Sequence, residues 1–225
     1  MIKIIDKLGL GDTERVRFKY EVDVLKNLVH PNIVQLYEVY ENRSRIYLVT
    51  ELCPGQELFD ELVTRKTFGE AEAANVIKQV LQAAAYCHKR DVAHRDLKPE
   101  NIMIDPTSKD AVKVIDFGLS QPYARDDHTM TLISGSPHYI APEVIAGRYD
   151  EKCDLWSIGV ILYTMLCGLA PFEGANNDEI VAKVEKGVYE FPPVCWADKS
   201  KEAIDLIKKL LEKDPKKRIS AKDAL

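Results

Sequence analysis

Three polar side chains of different chemistry lie close together in the segment 94–101, which reads HRDLKPEN. Asp96 supplies a carboxylate, Lys98 an ammonium group and Asn101 an amide oxygen. A carboxylate can orient a hydroxyl nucleophile and accept its proton, a cation can stabilise a transferring phosphoryl group, and an amide oxygen can bind Mg²⁺. The segment therefore predicts group transfer to a hydroxyl. The alternative is a polar turn whose Asp and Asn cap helices.

A second acidic motif follows the next strand-like stretch. Asp116 begins the sequence DFG directly after the apolar run VKVI. A carboxylate at the end of a buried strand, beside a permissive glycine, can reach a metal. Asn101 and Asp116 together form the sparse oxygen set that Mg²⁺ prefers when phosphates and waters complete its shell. The sequence APE at 141–143 closes this segment.

With these motifs, the chain resembles eukaryotic protein kinases over all 225 residues, and DLKPEN is typical of the serine/threonine class. The finer similarity is to the calcium/calmodulin-dependent group, and within it to the calcium-dependent protein kinases of plants and protists. It is carried by stretches such as IYLVTELCPGQELFDELV, GSPHYIAPEV and YDEKCDLWSIGVILYTMLCG. The resemblance implies an enzyme that transfers the γ-phosphoryl group of Mg-ATP to serine or threonine hydroxyls.

The resemblance also implies a role for each matching residue. Asp96 is expected to be the catalytic base, and Asn101 and Asp116 the Mg²⁺ ligands. Lys98 completes the catalytic set. The residues expected to bind ATP are Lys3, Glu21, Thr50, Glu51, Cys53, Glu57, Met103 and Asp116. Those expected to bind substrate are Glu57, Glu100 and Ser136, and those expected to stabilise the large lobe are Glu143, Asp154 and Arg218.

Within the ATP set, Lys3 is predicted to hold the α- and β-phosphates and to lie within ~4 Å of its helix partner Glu21. The alternative is a solvated terminal lysine. The hinge against adenine is predicted at residues 51–53, beside Thr50 as gatekeeper. Met103 is predicted as the floor of the adenine site, although a core role fits it equally well.

Three further groups are predicted by the same resemblance. Glu57 and Glu100 match positions that receive an arginine three residues before the phosphorylated residue, which predicts basic substrates; the alternative is solvated rim charges. Stacked apolar residues linking the lobes are predicted at Leu25, Leu36, His94 and Phe117. Candidate phosphorylation sites near Arg95 are Thr129, Thr131 and Ser134, unless the acidic pair at 126–127 replaces a phosphate.

The elements that must position these side chains are predicted from periodicity. A strand is predicted over 2–5, a helix over 12–29 ended by His30-Pro31, and a hairpin of IVQLYEVYE and RIYLVTEL joined by NRS. Long helices are predicted over 71–89, 150–168 and 200–214, with short strands NIMI and VKVID between them. The predicted fold class is α+β: a bilobal, kinase-like fold with a truncated small β lobe over 1–52 and a mainly helical large lobe over 53–225.

Composition limits the functional classes. A net charge of −5 argues against nucleic acid as the main partner. Five scattered cysteines without a CxxC pattern predict free thiols in a reducing, cytoplasmic setting. No signal peptide or membrane span is predicted.

The glycine-rich loop that covers the phosphates in similar kinases would precede Lys3, so the sequence is expected to be a kinase domain incomplete at both ends. Weak ATP affinity and little activity are expected of residues 1–225 alone. A calcium-sensing module or a calmodulin-like partner would lie beyond Leu225. The alternative function is a catalytically weak or inactive pseudokinase that acts as a binding module.

Overall fold

The computed structural model describes residues 1–7, 11–108, 111–122, 130 and 135–225. They form the predicted α+β fold, in which small antiparallel sheets accompany a large helical region. The strands are β1 (Ile2–Asp6), β2 (Leu36–Glu41), β3 (Arg45–Thr50), β4 (Gln56–Glu57), β5 (Val92–Ala93), β6 (Ile102–Asp105), β7 (Ala111–Val114) and β8 (Gln121–Pro122). The helices are α1 (Asp12–Lys26), α2 (Leu58–Arg65), α3 (Glu70–His88), α4 (Pro142–Ile145), α5 (Lys152–Cys167), α6 (Asn177–Lys186), α7 (Pro193–Trp196) and α8 (Lys201–Leu210).

The first sheet has the strand order β1-β3-β2, and both pairs are antiparallel. The predicted β2–β3 hairpin is confirmed. Its turn is closed by the Asn42 side chain, whose Oδ1 accepts hydrogen bonds from the backbone N–H of Ser44 at 2.9 Å and of Arg45 at 2.7 Å. Asparagine favours such turns because its side chain can bond the backbone two residues on. The hairpin holds β1, and therefore Lys3, in register opposite Leu48.

Helix α1 is shorter than predicted, because it ends at Lys26 and not just before His30-Pro31. The Asn27 side chain donates to the Asp23 carbonyl at 2.7 Å and so satisfies a carbonyl that the helix end leaves open. The residues after it turn toward the core, where Leu28 is 1% exposed. Within the helix, Val24 and Leu25 are buried.

Helix α5 is the centre of the large helical region and is buried along almost its whole length. Its near-continuous apolar sequence fits a helix that is enclosed on all sides. Gly159 allows α8 to approach, since a Cβ there would lie 2.9 Å from the Leu210 Cβ. The helix ends at Gly168, whose φ of +78° is the left-handed conformation that favours glycine.

The second sheet has the strand order β4-β6-β7 and positions both the segment 94–101 and the DFG motif. The segment 94–101 leads into β6, and DFG follows β7, so antiparallel pairing of these strands brings both motifs to one end of the sheet. The chain near β2 joins the same sheet, because Val34 N–H donates to the Val114 carbonyl at 3.0 Å and Val114 N–H to the Asn32 carbonyl at 2.8 Å. The region around the first sheet is thereby tied directly to the strand that precedes Asp116.

Among the described residues, no helix has the length and apolar character needed to cross a membrane.

Candidate active site

The segment that carries Asp96 is anchored from below by a buried carboxylate. Asp154, 1% exposed, accepts hydrogen bonds from the backbone N–H of His94 at 2.9 Å and of Arg95 at 2.8 Å. Its Oδ2 also lies 2.8 Å from His88 Nε2. Burial acts to raise the pKa of Asp154, but the hydrogen bonds and the neighbouring histidines outweigh it, so the pKa is lowered and the charged form is favoured.

This anchoring holds Arg95 in an uncommon backbone conformation with a φ of +71°. A non-glycine residue with positive φ is held there by its surroundings, and such residues concentrate at functional sites. The two hydrogen bonds to Asp154 fix the peptide groups on either side of His94 and so hold the chain that enters this turn. The turn directs the next residue, Asp96, toward the side chains described below.

Asp96 lies in a small polar network. Lys98 Nζ is 3.0 Å from Asp96 Oδ2, and Asn101 Nδ2 donates to the same oxygen at 3.1 Å and to the Asp96 carbonyl at 2.8 Å. The Ser136 hydroxyl donates to Asp96 Oδ1 at 3.4 Å and accepts from Lys98 Nζ at 3.2 Å. Four residues predicted for catalysis or substrate binding are therefore brought together, although Ser136 is distant in sequence. In the described part of the chain, Asn101 Oδ1 accepts no hydrogen bond.

The DFG motif places Asp116 at the edge of the same cleft. Asp116 has a φ of +57°, its side chain is 49% exposed, and its Oδ1 accepts from the Gly118 N–H at 3.2 Å. A Cβ at position 118 would lie 3.1 Å from that oxygen, so glycine leaves the carboxylate room. Phe117 points the other way, is 1% exposed and meets the His94 ring edge-on at a centroid distance of 4.7 Å.

The remaining members of the predicted apolar stack, Leu25 and Leu36, are also buried.

Lys3 reaches into the cleft from β1. Its Nζ lies 3.1 Å from Glu21 Oε1, which confirms the predicted contact, and 3.8 Å from Asp116 Oδ1. Glu21 is buried on α1, whereas the Lys3 side chain remains 44% exposed. Alternation along the strand turns Ile2 and Ile4 to the other face, where both are exposed. The ammonium group is therefore accessible to an anionic ligand.

The predicted hinge follows β3. Thr50 is 7% exposed, and the Glu51 carboxylate is held by Lys113 Nζ at 2.7 Å. Among the described residues, the Cys53 N–H donates to no protein acceptor. Burial, and then the Glu51 carboxylate, raise the pKa of the Cys53 thiol. This segment offers a backbone donor without its own acceptor, which is the group that a planar heterocycle would need.

Met103 and Glu57 are directly opposite each other in the β4–β6 pair, and both are half-buried. Glu57 also precedes α2 as its N-terminal flanking residue. The described residues provide no hydrogen-bond donor to the Glu57 carboxylate. Lys113, which bonds the Glu51 carboxylate, is paired with Met103 in the β6–β7 ladder, so both predicted ATP residues lie on the sheet that contacts the predicted hinge.

Glu100 carries a buried acceptor that is unsatisfied within the described part of the chain. Its Oε2 is inaccessible to solvent and has no hydrogen-bond donor. Tyr139 lies near it, and burial followed by the Glu100 charge raises the pKa of the Tyr139 hydroxyl. An unpaired carboxylate oxygen of this kind is costly unless a cation or donor binds to it.

The three residues predicted to support the large lobe are all buried. Arg218 pairs with Glu143 through two hydrogen bonds, one of them from Nη2 to Oε2 at 2.9 Å. Arg218 also donates to the carbonyls of Lys152 and Glu212, each at 2.8 Å, and its guanidinium lies 5.2 Å from the Trp156 ring. A fully paired, bidentate arginine of this kind joins α4 to the chain after α8.

Thr129, Thr131, Ser134 and residues 126–127 lie outside the described residues. Sequence reasoning missed two partners of the site, namely His88, which bonds Asp154, and Lys113, which bonds Glu51. Both are distant in sequence from the groups they contact, and no local pattern marks them.

Comparison with known proteins agrees with this geometry. Residues 1–225 match the family described as Protein kinase domain. This chain belongs to the protein kinase family. It is 46% identical over all of its residues to calcium-dependent protein kinase 5 of Plasmodium falciparum (isolate 3D7), and 43% identical to calcium-dependent protein kinase 3 of Plasmodium berghei (strain Anka). It is 47% identical over 227 aligned positions to calcium-dependent protein kinase 4 of the latter organism.

These matches cover 39%, 40% and 43% of the respective relatives, so the kinase chain spans about two fifths of the length of the curated relatives it matches. The resemblance inferred from the motifs is confirmed at the level of the calcium-dependent, serine/threonine group of kinases.

Proposed function

We propose that this kinase transfers the γ-phosphoryl group of Mg-ATP to serine or threonine hydroxyls of protein substrates. The proposal rests on one observation: charged side chains from different helices, strands and loops lie together in one cleft. Lys3 on β1 lies within ion-pair distance of Glu21 and Asp116, and the Asp96 network lies on the neighbouring segment that leads into β6. A structural role alone does not require a half-exposed cation facing a half-exposed carboxylate.

The residues present fit a nucleotide and a divalent cation. The Lys3 ammonium is accessible and would hold phosphate oxygens, with Glu21 fixing its position. Asn101 Oδ1 and the half-exposed Asp116 carboxylate would hold Mg²⁺. The described residues contain no group of three or more His, Cys, Asp or Glu that could hold a metal by themselves, so the proposal needs the phosphates to complete the coordination.

The adenine ring would lie against residues 51–53, where the Cys53 N–H is available, with Met103 below it and Thr50 beside it. When bound, Mg-ATP supplies the phosphoryl group to be transferred and the charge that neutralises its oxygens. Asp96 orients the substrate hydroxyl and accepts its proton, for which its carboxylate is held by Ser136 and Asn101. Lys98 adds a positive charge beside the developing negative charge.

We infer that the favoured substrates carry a basic residue near the acceptor. Among the described residues the Glu100 Oε2 atom is buried without a donor, and Glu57 lies on β4, which contacts the Pro99–Asn101 turn that carries Glu100. An arginine side chain from a substrate would pair with both carboxylates, because its guanidinium donates several hydrogen bonds at once. This is the preference that the family resemblance implies for these two positions.

Two further parts of the proposal concern a calcium-sensing partner and the cellular compartment. The names of the similar Plasmodium kinases describe them as calcium-dependent, so we propose a calcium-sensing module, or a calmodulin-like partner, outside this chain. All five cysteines are free thiols, which supports a reducing, cytoplasmic environment.

The decisive experiment measures phosphoryl transfer by the full-length protein to a serine peptide with an arginine three residues before the serine. Asp96→Asn is expected to lower kcat by about 10²- to 10⁴-fold, because it removes the proton acceptor, while stabilisation by Mg-ATP in a thermal shift is retained. The matched control Asp205→Asn changes an exposed aspartate on α8 and leaves both readouts unchanged.

If the wild-type protein is stabilised by Mg-ATP yet transfers nothing with or without calcium, the catalytic proposal is wrong and a binding module is the better description. The substrate preference is tested separately with Glu100→Gln. This variant is expected to raise KM for the arginine peptide and to leave KM for an alanine-substituted peptide unchanged. Equal effects on both peptides would contradict the preference.

A further inference from the structure

The strand before the DFG motif carries a charged side chain between two buried ones. Val112 and Val114 on β7 are 1% and 2% exposed, and Lys113 between them faces the other side of the sheet. In the β6–β7 pair Lys113 lies directly opposite Met103, so the two side chains share a face. Lys113 therefore lies beside the residue proposed as the floor of the adenine site.

The Lys113 side chain reaches the predicted hinge. Its Nζ lies 2.7 Å from Glu51 Oε1 and 2.9 Å from Glu51 Oε2. The second of these oxygens also accepts a hydrogen bond from the Gln35 N–H at 3.2 Å, while the Glu51 N–H donates to the Gln35 carbonyl at 2.8 Å. Glu51 is thus held both by the residue that precedes β2 and by Lys113.

This ion pair joins parts of the cleft that come from different sheets. Glu51 directly follows β3, the strand that pairs with β1 and its Lys3. Lys113 belongs to the second sheet, three residues before Asp116. The side chains of the pair are 23% and 22% exposed, so it is better shielded from water than Lys3 is. Solvent and salt weaken a shielded pair less than an exposed one, which makes this pair a firm connection between the hinge and the second sheet.

We propose that Lys113 is a positioning residue for nucleotide binding, whose ion pair with Glu51 fixes the hinge segment 51–53 relative to Met103. This inference rests on the proposed function, since the adenine of Mg-ATP is the group that would lie between the hinge and Met103. Lys113 acts through Glu51 and not on the phosphates, because its ammonium group is already paired. Without this pair, the cost of ordering the hinge would offset part of the binding energy of the nucleotide.

The two charges of the pair also act on the thiol at the end of the hinge. Burial, and then the Glu51 carboxylate, raise the pKa of the Cys53 thiol, whereas the Lys113 ammonium group lowers it. Removal of one charge or the other should therefore move this pKa in opposite directions. Nucleotide affinity should respond differently, because loss of either partner breaks the same pair and weakens binding. This contrast separates positioning from a direct attraction between Lys113 and the charge of ATP.

The test compares Lys113→Met and Glu51→Gln in the full-length protein. Each variant, and the double variant, is expected to raise the KM for ATP by about 3- to 10-fold and to change kcat by less than about 2-fold. Lys113→Arg retains a cation that can pair with a carboxylate and is expected to restore the wild-type KM. The matched control Lys209→Met removes an exposed lysine that pairs with Asp205 on α8, and is expected to leave KM unchanged.

Two readouts do not require phosphoryl transfer. The dissociation constant of Mg-ATP, obtained from thermal shifts at a series of nucleotide concentrations, should rise as KM does. The pH profile of Cys53 alkylation, mapped by mass spectrometry without nucleotide, should shift upward in Lys113→Met and downward in Glu51→Gln.

The outcomes separate this inference from the proposed function on which it rests. A wild-type KM in Lys113→Met, tighter ATP binding by Glu51→Gln, or effects that multiply in the double variant would overturn the role of Lys113 and leave the proposed kinase activity intact. A wild-type protein that transfers nothing, with the expected differences in Mg-ATP binding among the variants, would support the role of Lys113 and contradict the catalytic proposal alone.

Discussion

Two ion pairs in different parts of this kinase differ sharply in their exposure to solvent. The Arg218 side chain is fully buried against Glu143 and has further carbonyl partners, whereas the Lys3 side chain is 44% exposed beside Glu21. A buried charge without its partner is strongly destabilising, but an exposed pair contributes little. The helical region is therefore held by contacts that cannot open without unfolding. The cation facing the proposed nucleotide site is held by a contact that can rearrange.

The largest expected effect is at the buried pair. Glu143→Ala should lower the free energy of unfolding by about 3–5 kcal/mol, because it leaves the Arg218 charge buried and unpaired. Urea denaturation measures this loss. Asp205→Ala, which breaks the exposed pair with Lys209 on α8, serves as the control and should change stability by less than about 1 kcal/mol. Similar losses in the two variants would remove the distinction between buried and exposed pairs.

The next effect concerns Asp154, which anchors the proposed catalytic segment 94–101. Asp154→Asn should cost about 2–3 kcal/mol at pH 7, because it weakens hydrogen bonds from two backbone N–H groups to a charged acceptor. The pKa of Asp154 is lower in the folded protein than its ordinary value of 3.8, so its contribution is complete above that value and is lost as pH falls through the folded pKa.

The difference in stability between the wild-type protein and Asp154→Asn should consequently stay constant from pH 7 to about pH 4 and narrow below it. Urea titrations at a series of pH values measure it. A difference that widens on acidification would mean that the charged form of Asp154 is not the one stabilised by folding.

The smallest expected effect is at Lys3. A double-mutant cycle of Lys3→Met and Glu21→Gln should give a coupling to stability of no more than about 1 kcal/mol. The same Lys3→Met change should strongly reduce stabilisation by Mg-ATP in a thermal shift. A coupling above about 2 kcal/mol would show that this pair is as structural as the one at Arg218.

The site residues that could be predicted from the sequence are mainly those that belong to a short, recognisable motif. HRDLKPEN and DFG are recognisable because their residue types are fixed by chemistry, whereas the role predicted for Lys3 came from the family resemblance. The contacts with Asp154 could be expected only from the family resemblance, because its partners His94 and Arg95 lie far away in the chain. The contribution of Lys113 to the hinge was missed for the same reason.

The fold was predictable to a similar extent. Long helices with strong periodicity, such as α3 and α8, were located correctly to within a few residues. The end of α1 was placed too late, since Asn27 ends the helix through its own side chain, and a proline further on was the more visible signal. Strands of two residues, such as β4 and β5, have no periodicity to detect and are defined only by the partner strand.

Arg95 and Asp116 both have positive φ angles, although neither is a glycine. Such angles store strain of order 1–3 kcal/mol per residue in the native backbone. A selection for heat resistance alone would therefore favour glycine at either position. It would disturb the orientation of the proposed catalytic segment 94–101 or remove the proposed metal ligand Asp116. At these two residues, we expect a gain in thermal stability to lower the proposed kinase activity. A thermostable variant should therefore be tested for both stability and activity.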